Sequence, residues 1–276
     1  MSEQQQLPLK ASHLSGTFEA LKAAKRKALI VFIVAGDPTL RATESFIYEL
    51  ASQGVDVIEL GVPFTDPLAD GPVIQDAHVR ALRAGVALSD VLTLVTHVRR
   101  KVKIPIVLMP SINLLFQYGI DRFSQHAAQS GIDGAIVPDL PPEEGIALKD
   151  AMNQQGLDLV YLCAPTSTDQ RIRFITSSSS GFVYLISVTG ITGVRKSLPA
   201  ELHSFVKRVR NVTALPLVVG FGISTPSQAK QVARIADGVI VGSAVVDLIG
   251  RNASHRYLVP KVGQFVGVLA RAVHGG

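Results

Sequence analysis

Eight short apolar runs rich in β-branched residues recur along the 276-residue chain, and they limit its fold more than any other feature. They are Leu29–Ala35, Val55–Leu60, Ile106–Met109, Gly134–Val137, Leu157–Leu162, Phe182–Ser187, Leu217–Gly220 and Gly238–Val241. Segments with helical spacing separate them, among them Leu88–Lys101, Ile120–Ser130, Glu143–Gln155, Pro199–Arg210 and Pro226–Ala236. Strands apolar on both faces, alternating with helices, predict a parallel sheet covered on both sides. Eight such units predict an α/β chain closed as one (β/α)8 TIM barrel spanning residues 1–276. A doubly wound open sheet is the alternative, but no G-x-G-x-x-G follows the first run. No Pro/Ser/Gly-rich linker divides the chain. Leu14–Lys27 is expected as an extra N-terminal helix and His255–Val273 as a C-terminal one.

In such barrels the active site is built at the carboxyl ends of the strands. The second run leads into Glu59-Leu-Gly-Val-Pro-Phe-Thr-Asp-Pro-Leu-Ala-Asp-Gly-Pro72. Alternation places Val55, Val57 and Glu59 on one face, so an inward Val57 implies an inward Glu59. A buried carboxylate is paired, protonated or functional, and an apolar setting raises its pKa until it can donate a proton near neutrality. A structural Glu bonded to an amide or a basic side chain is the bland alternative. Asp66 and Asp70 follow in the same loop. Asp-Pro and Asp-Gly are ordinary turn formers, yet a second carboxylate near the first allows one to act as acid and the other as base or charge stabiliser.

Glycine-bearing loops follow the sixth, seventh and eighth runs: Gly190-Ile-Thr192-Gly193, Gly220-Phe-Gly222-Ile-Ser224 and Gly242-Ser243. Small residues before helix starts at these positions suit a phosphate site, whereas tight turns without a ligand explain each one singly. Ser243 has no neighbouring base and reads as a phosphate donor.

Several function classes are excluded or disfavoured. With 47 % apolar and 18 % charged residues the chain has ample core material. The one cysteine, Cys163, permits no internal disulfide and reads as a small buried residue. No apolar stretch reaches the ~20 residues of a membrane span, and no secretory signal is apparent, so a cytoplasmic protein is expected. The net charge of +5 gathers at Lys22-Ala-Ala-Lys-Arg-Lys27 and Arg99-Arg-Lys-Val-Lys103. No aromatics are interleaved with these clusters, which argues against nucleic acid and for solvated helix ends. The seven histidines, His13, His78, His97, His126, His203, His255 and His274, avoid the strand ends, and no group has metal-ligand spacing. No lysine lies in a strand, and Lys196 alone is near the site, so a Schiff base has no evident candidate. What remains is acid–base chemistry by carboxyl groups on a phosphorylated substrate.

The stretch from Glu59 to Gln75 resembles the signature of the tryptophan synthase α subunit family. Ala35-Gly-Asp-Pro38, Pro138-Asp-Leu-Pro-Pro-Glu-Glu144, Ala164-Pro-Thr-Ser-Thr-Asp169, Gly190-Ile-Thr-Gly193, Gly220-Phe-Gly-Ile-Ser224 and Gly242-Ser-Ala244 extend the likeness along the chain. The resemblance implies a lyase that splits indole-3-glycerol phosphate into indole and glyceraldehyde 3-phosphate, in tryptophan biosynthesis. By the same resemblance Glu59 is the general acid and base, and Asp70 holds the indole N–H. Thr192 bonds the aspartate when a lid closes, and Tyr184 lines the pocket. Gly193, Gly222, Gly242 and Ser243 hold the phosphate, while Phe32, Ile136 and Leu162 form a slot for the indole ring, though barrel core explains those three almost as well. The family implies a partner β subunit in an α2β2 complex, with Pro63 and Asp66 as contact residues. Pyridoxal phosphate is expected only in that partner, and no cofactor or metal in this chain.

Two departures from the family pattern stand out. Pro110-Ser-Ile-Asn-Leu114 replaces a Thr-Tyr-Tyr-Asn-Pro stretch, which removes aromatic surface at the pocket rim. Val31 and Val34 stand where the family often has Pro and Thr, removing a polar group near the acid. They motivate a second hypothesis, a weakened catalyst kept as an activator of the β subunit; intact Glu59 and Asp70 argue against it. A sugar-phosphate epimerase is a third, and it calls for metal-ligating histidines at strand ends.

Overall fold

A computed structural model describes residues 12–67, 70–186, 200–220 and 222–275. The described elements run α1 (His13–Ala23), β1 (Ala28–Val34), α2 (Leu40–Ser52), β2 (Val57–Gly61), α3 (Pro72–Arg83), α4 (Leu88–Val98), β3 (Ile106–Met109), α5 (Ile112–Tyr118), α6 (Ile120–Ser130), β4 (Gly134–Ile136) and α7 (Ile146–Gln154). They continue with β5 (Asp158–Val160), β6 (Leu162–Cys163), α8 (Asp169–Ser178), β7 (Val183–Ile186), α9 (Ala200–Arg210), β8 (Leu217–Gly220), α10 (Pro226–Ala233), β9 (Gly238–Val241), α11 (Ser243–Arg251) and α12 (Leu258–His274).

Every strand pair is parallel, in the order β5-β4-β3-β2-β1-β9-β8-β7-β6. The expected fifth strand, Leu157–Leu162, is therefore found as two pieces, β5 and β6, on either side of Tyr161. The Tyr161 amide bonds the Ser179 hydroxyl (3.4 Å) rather than the neighbouring strand. Its carbonyl still accepts from the Tyr184 amide at 3.2 Å. Chain continuity through Tyr161 thus joins the two ends of the sheet, and the barrel closes with eight strand positions.

Two apolar layers follow from the two-residue period of the strands. Outward residues such as Leu29, Val31, Ile58 and Leu108 pack under the helices. Inward residues Ala28, Ile30, Val57, Val107, Ile136, Val160, Phe182, Val218 and Ile240 fill the barrel. Leu14, Phe18 and Leu21 belong to the inner cluster, so α1 lies across the amino-terminal end of the barrel, with Phe18 and Phe182 rings 5.7 Å apart. The Ser12 side chain caps α1 at Ser15, and Lys25 at φ +55° turns the chain into β1, ending the helix before the expected Lys27.

Part of each basic cluster is taken up by the fold. Lys27 and Arg210 face Asp237, and Arg26 faces Asp56. Asp56 in turn accepts from the Leu29 amide and meets His274 of α12, each at 2.8 Å, tying both described ends of the chain to the barrel floor. Arg99 binds Asp133 and the carbonyls of Gly131 and Ile104. Among the described residues no single helix is long and apolar enough to cross a membrane.

Candidate active site

The inward face of β2 carries Val57, Glu59 and Gly61 in succession. Glu59 is in register with Phe32 of β1 on one side and Val107 of β3 on the other. Those neighbours are apolar, and Val34, two positions beyond Phe32 on the same face, is apolar and buried too. Glu59 is consequently 0 % exposed, and neither carboxyl oxygen has a hydrogen-bond partner. Burial alone pushes its pKa from 4.5 up to about 8. The group is thus an acid still holding its proton at neutral pH, and no hydrogen bond restrains its side-chain torsions.

Above it opens a cavity of about 550 Å³ at the carboxyl ends of the strands. Phe32, Leu162 and Tyr184 form apolar walls, Asp70 lies at one edge, and Gly222, Gly242 and Ser243 lie at another. Two glycines make the walls possible. A Cβ on Gly61 would sit 2.8 Å from the Phe32 ring, and one on Gly220 would sit 2.4 Å from the Tyr184 oxygen. Burial first, then the neighbouring Glu59 and Asp70 carboxyl groups, hold the Tyr184 phenol well above its usual pKa, so it stays neutral.

Asp70 precedes the Gly71 N-cap of α3. Its amide bonds the Pro67 carbonyl (3.0 Å) and its carbonyl accepts from Gln75 Nε2 (2.9 Å), which fixes the backbone. Its carboxylate receives His78 Nε2 at 3.2 Å. A second cavity of about 350 Å³ adjoins the first between the loops after β2 and β3. Asp70, Phe32, Met109 and Pro138 line both, so Asp70 stands in the partition. The altered Pro110–Leu114 stretch forms one wall of this second space. There Ser111 caps α5 and donates to Asp139 at 2.6 Å, and the Ile112 amide donates to the same carboxylate at 3.0 Å.

The helix after β9 suits an anion. α11 starts at Ser243 with Gly242 as its N-cap, and no side chain caps it. By contrast, α10 is closed by Thr225 and Gln228 in a reciprocal capping box. The open helix end, not the capped one, borders the cavity, and its first-turn amides and positive dipole end favour a phosphate. Gly222 adopts φ +59°, and a Cβ there would meet nothing within 4 Å.

Some expected residues are placed elsewhere. Thr192 and Gly193 lie outside the described residues. Ile136 is 0 % exposed within the inner cluster and is not among the residues that line this cavity. Pro63 is buried, so of the two expected contact residues only Asp66 presents surface. Glu59 itself is covered rather than open to the cavity. His78, Ile74 and Met109 border these spaces without having been anticipated; the one available hint for His78 was its position on the helix that begins directly after the Asp70 loop. Among the described residues no group of three or more His, Cys, Asp or Glu could hold a metal ion.

Comparison with known proteins gives one consistent result. The family model for the tryptophan synthase alpha chain matches residues 18–274. The tryptophan synthase alpha chain of Citrifermentans bemidjiense is 49 % identical over 265 residues, covering 96 % of this chain and 99 % of the relative. That of Geobacter sulfurreducens is 48 % identical over 262 residues, covering 95 % and 99 %. Among solved structures, tryptophan synthase subunit alpha from Legionella pneumophila superposes with a TM-score of 0.89 at 38 % identity, covering 96 % of this chain and 99 % of that one. A chain of Mycobacterium tuberculosis tryptophan synthase does so with a TM-score of 0.89 at 37 % identity, covering 97 % and 100 %.

Proposed function

Because this chain belongs to the tryptophan synthase alpha chain family, whose reaction splits indole-3-glycerol phosphate into indole and glyceraldehyde 3-phosphate, we propose that Glu59 and Asp70 divide that chemistry between them. The chain is a carbon–carbon lyase acting in tryptophan biosynthesis. The observation that carries the division of labour is the buried, unpartnered and protonated Glu59 beneath a cavity that Asp70 borders.

Rotation of the unrestrained Glu59 side chain brings its carboxyl group to the indole ring, where it donates its proton to C3. Positive charge then spreads to the ring nitrogen, whose N–H lies against the Asp70 carboxylate. Glu59, now an anion in an apolar site, is a strong base there. It takes the proton from the hydroxyl on the adjacent glycerol carbon. The C3–carbon bond breaks, its electron pair restores the indole ring, and the hydroxyl oxygen becomes the aldehyde. Glu59 ends protonated as it began. Phe32, Leu162 and Tyr184 hold the ring, and the α11 amides with Gly242, Ser243 and Gly222 hold the phosphate. These proton transfers need no metal and no cofactor in this chain.

The partner is a β subunit carrying pyridoxal phosphate, in an α2β2 assembly in the cytoplasm. The loops after β2 and β3 offer it exposed Asp66 and, on α5, Phe116 at 60 % exposure, which supplies aromatic surface beside the stretch that lacks the family's tyrosines.

The decisive test is indole release from indole-3-glycerol phosphate by the purified chain, with and without a β subunit. Slow release that rises strongly with the partner supports the coupled lyase. No release in either case, with the β subunit still activated, would leave the barrel a regulator. The phosphate reading makes a separate prediction: Ser243→Ala should raise KM about tenfold with kcat within about twofold, since one hydrogen bond to a charged group contributes roughly 1.5–3 kcal/mol. Steady-state kinetics on the variant checks it.

A further inference from the structure

His78 is one of the few buried polar side chains of this protein, 5 % exposed on α3. Both of its ring nitrogens are engaged by the same loop. Nδ1 accepts a hydrogen bond from the Phe64 amide at 3.3 Å, and Nε2 lies 3.2 Å from Asp70 Oδ2. A backbone N–H can only donate, so Nδ1 must be the unprotonated nitrogen. The neutral ring then carries its proton on Nε2 and donates it to Asp70. The two contacts bracket the loop: Phe64 is near its start and Asp70 at its end, while His78 stands on the rigid helix that follows.

We propose that His78 is the positioning residue for Asp70, holding Oδ2 through Nε2–H so that Oδ1 is turned to the indole N–H. This rests on the reading of Asp70 given above. Three features carry it. Among the described residues the hydrogen bond to the Asp70 carboxylate is made at Oδ2 alone, by His78. Asp70 borders both cavities, and without a tether its side chain could turn to either. Finally, the tether is directional, because the Phe64 amide selects the tautomer that donates to Asp70. A misplacement of about 1 Å in a reacting group can lower a rate on the order of 100-fold, so the tether bears on turnover rather than on fold alone.

Two substitutions separate this role from simple pinning of the loop. In His78→Gln the side-chain nitrogen takes the place of Nε2 and can still donate to Asp70, but nothing faces Phe64. In His78→Asn the side-chain oxygen takes the place of Nδ1 and can still accept from Phe64, but the amide falls short of Asp70. Indole release, measured in single turnovers with enzyme in excess, should fall on the order of 10- to 100-fold in His78→Ala and His78→Asn and stay within about threefold in His78→Gln. The opposite ranking, Asn active and Gln slow, would overturn the proposal. In an Asp70→Ala background, where no carboxylate remains to orient, His78→Ala should change the residual rate less than about twofold. An equal loss in both backgrounds would mean that His78 acts elsewhere. If Asp70→Ala keeps full activity, the reading of Asp70 falls and this proposal with it; if Asp70→Ala is slow while His78→Ala is unaffected, this proposal alone falls.

Discussion

Glu59→Gln is expected to lower indole release by about 10²–10⁴-fold, the range over which a positioned acid or base contributes to a rate. Gln keeps the volume and the polar tip but has no transferable proton, so on the proposed mechanism both the protonation of C3 and the later removal of the hydroxyl proton lose their agent. The same substitution carries a signature in stability that a Glu bonded to an amide or a basic side chain would not give. The folded carboxyl has a pKa of about 8 against an ordinary 4.5. Between these values the folded chain keeps a proton that the unfolded chain has released. Unfolding then releases protons, and stability falls as pH rises. Below about 4.5 both states are protonated and nothing is lost. Above about 8 the full penalty is present, on the order of 5 kcal/mol. Urea midpoints of the two proteins at pH 5 and pH 9 should therefore diverge, the variant gaining on the parent at the higher pH. An unchanged difference at both pH values would show that Glu59 is not held protonated by its surroundings.

Asp70→Asn tests charge separately from shape. The amide oxygen can still accept from His78 Nε2–H, so the loop geometry is retained, while the negative charge proposed to face the ring nitrogen is gone. A fixed charge aimed at developing charge is typically among the larger catalytic contributions. A fall of about 10²-fold in kcat/KM is expected, equivalent to roughly 2.7 kcal/mol of transition-state stabilisation. The loss should fall mainly on kcat, because the ring becomes cationic only after protonation. A variant that raised KM and left kcat intact would assign Asp70 to ground-state binding instead.

Much of this was legible in the chain because the barrel converts strand ends into a site. The runs at Ile106–Met109, Leu217–Gly220 and Gly238–Val241 match β3, β8 and β9 at both ends. Alternation alone put Glu59 inside, and glycine placement marked the open end of α11. What was not legible depends on depth and on cross-chain neighbours. Alternation tells that Ile136 faces inward but not that it is fully covered there. The Pro63 loop was evident, but its burial depends on how the loop folds back. That Glu59 has no partner depends on what the two flanking strands present to it, although the Val34 departure pointed that way. His78 meets Asp70 only because the loop returns onto the helix behind it, a contact that no hydrophobic period records. The break at Tyr161 arises likewise from a bond to Ser179, a residue on another segment.

The α1 helix laid across the barrel floor has a consequence for traffic. With Leu14, Phe18 and Leu21 packed into that end, the chamber is shut at its floor, and its mouth lies at the carboxyl ends of the strands. With the floor shut, substrate and products cannot pass through the barrel from end to end as through a pore. Whatever covers the mouth decides at once what is admitted and what escapes. A subunit docked over that rim could therefore retain a small apolar product without binding it tightly, because the packed floor lets nothing out beneath it.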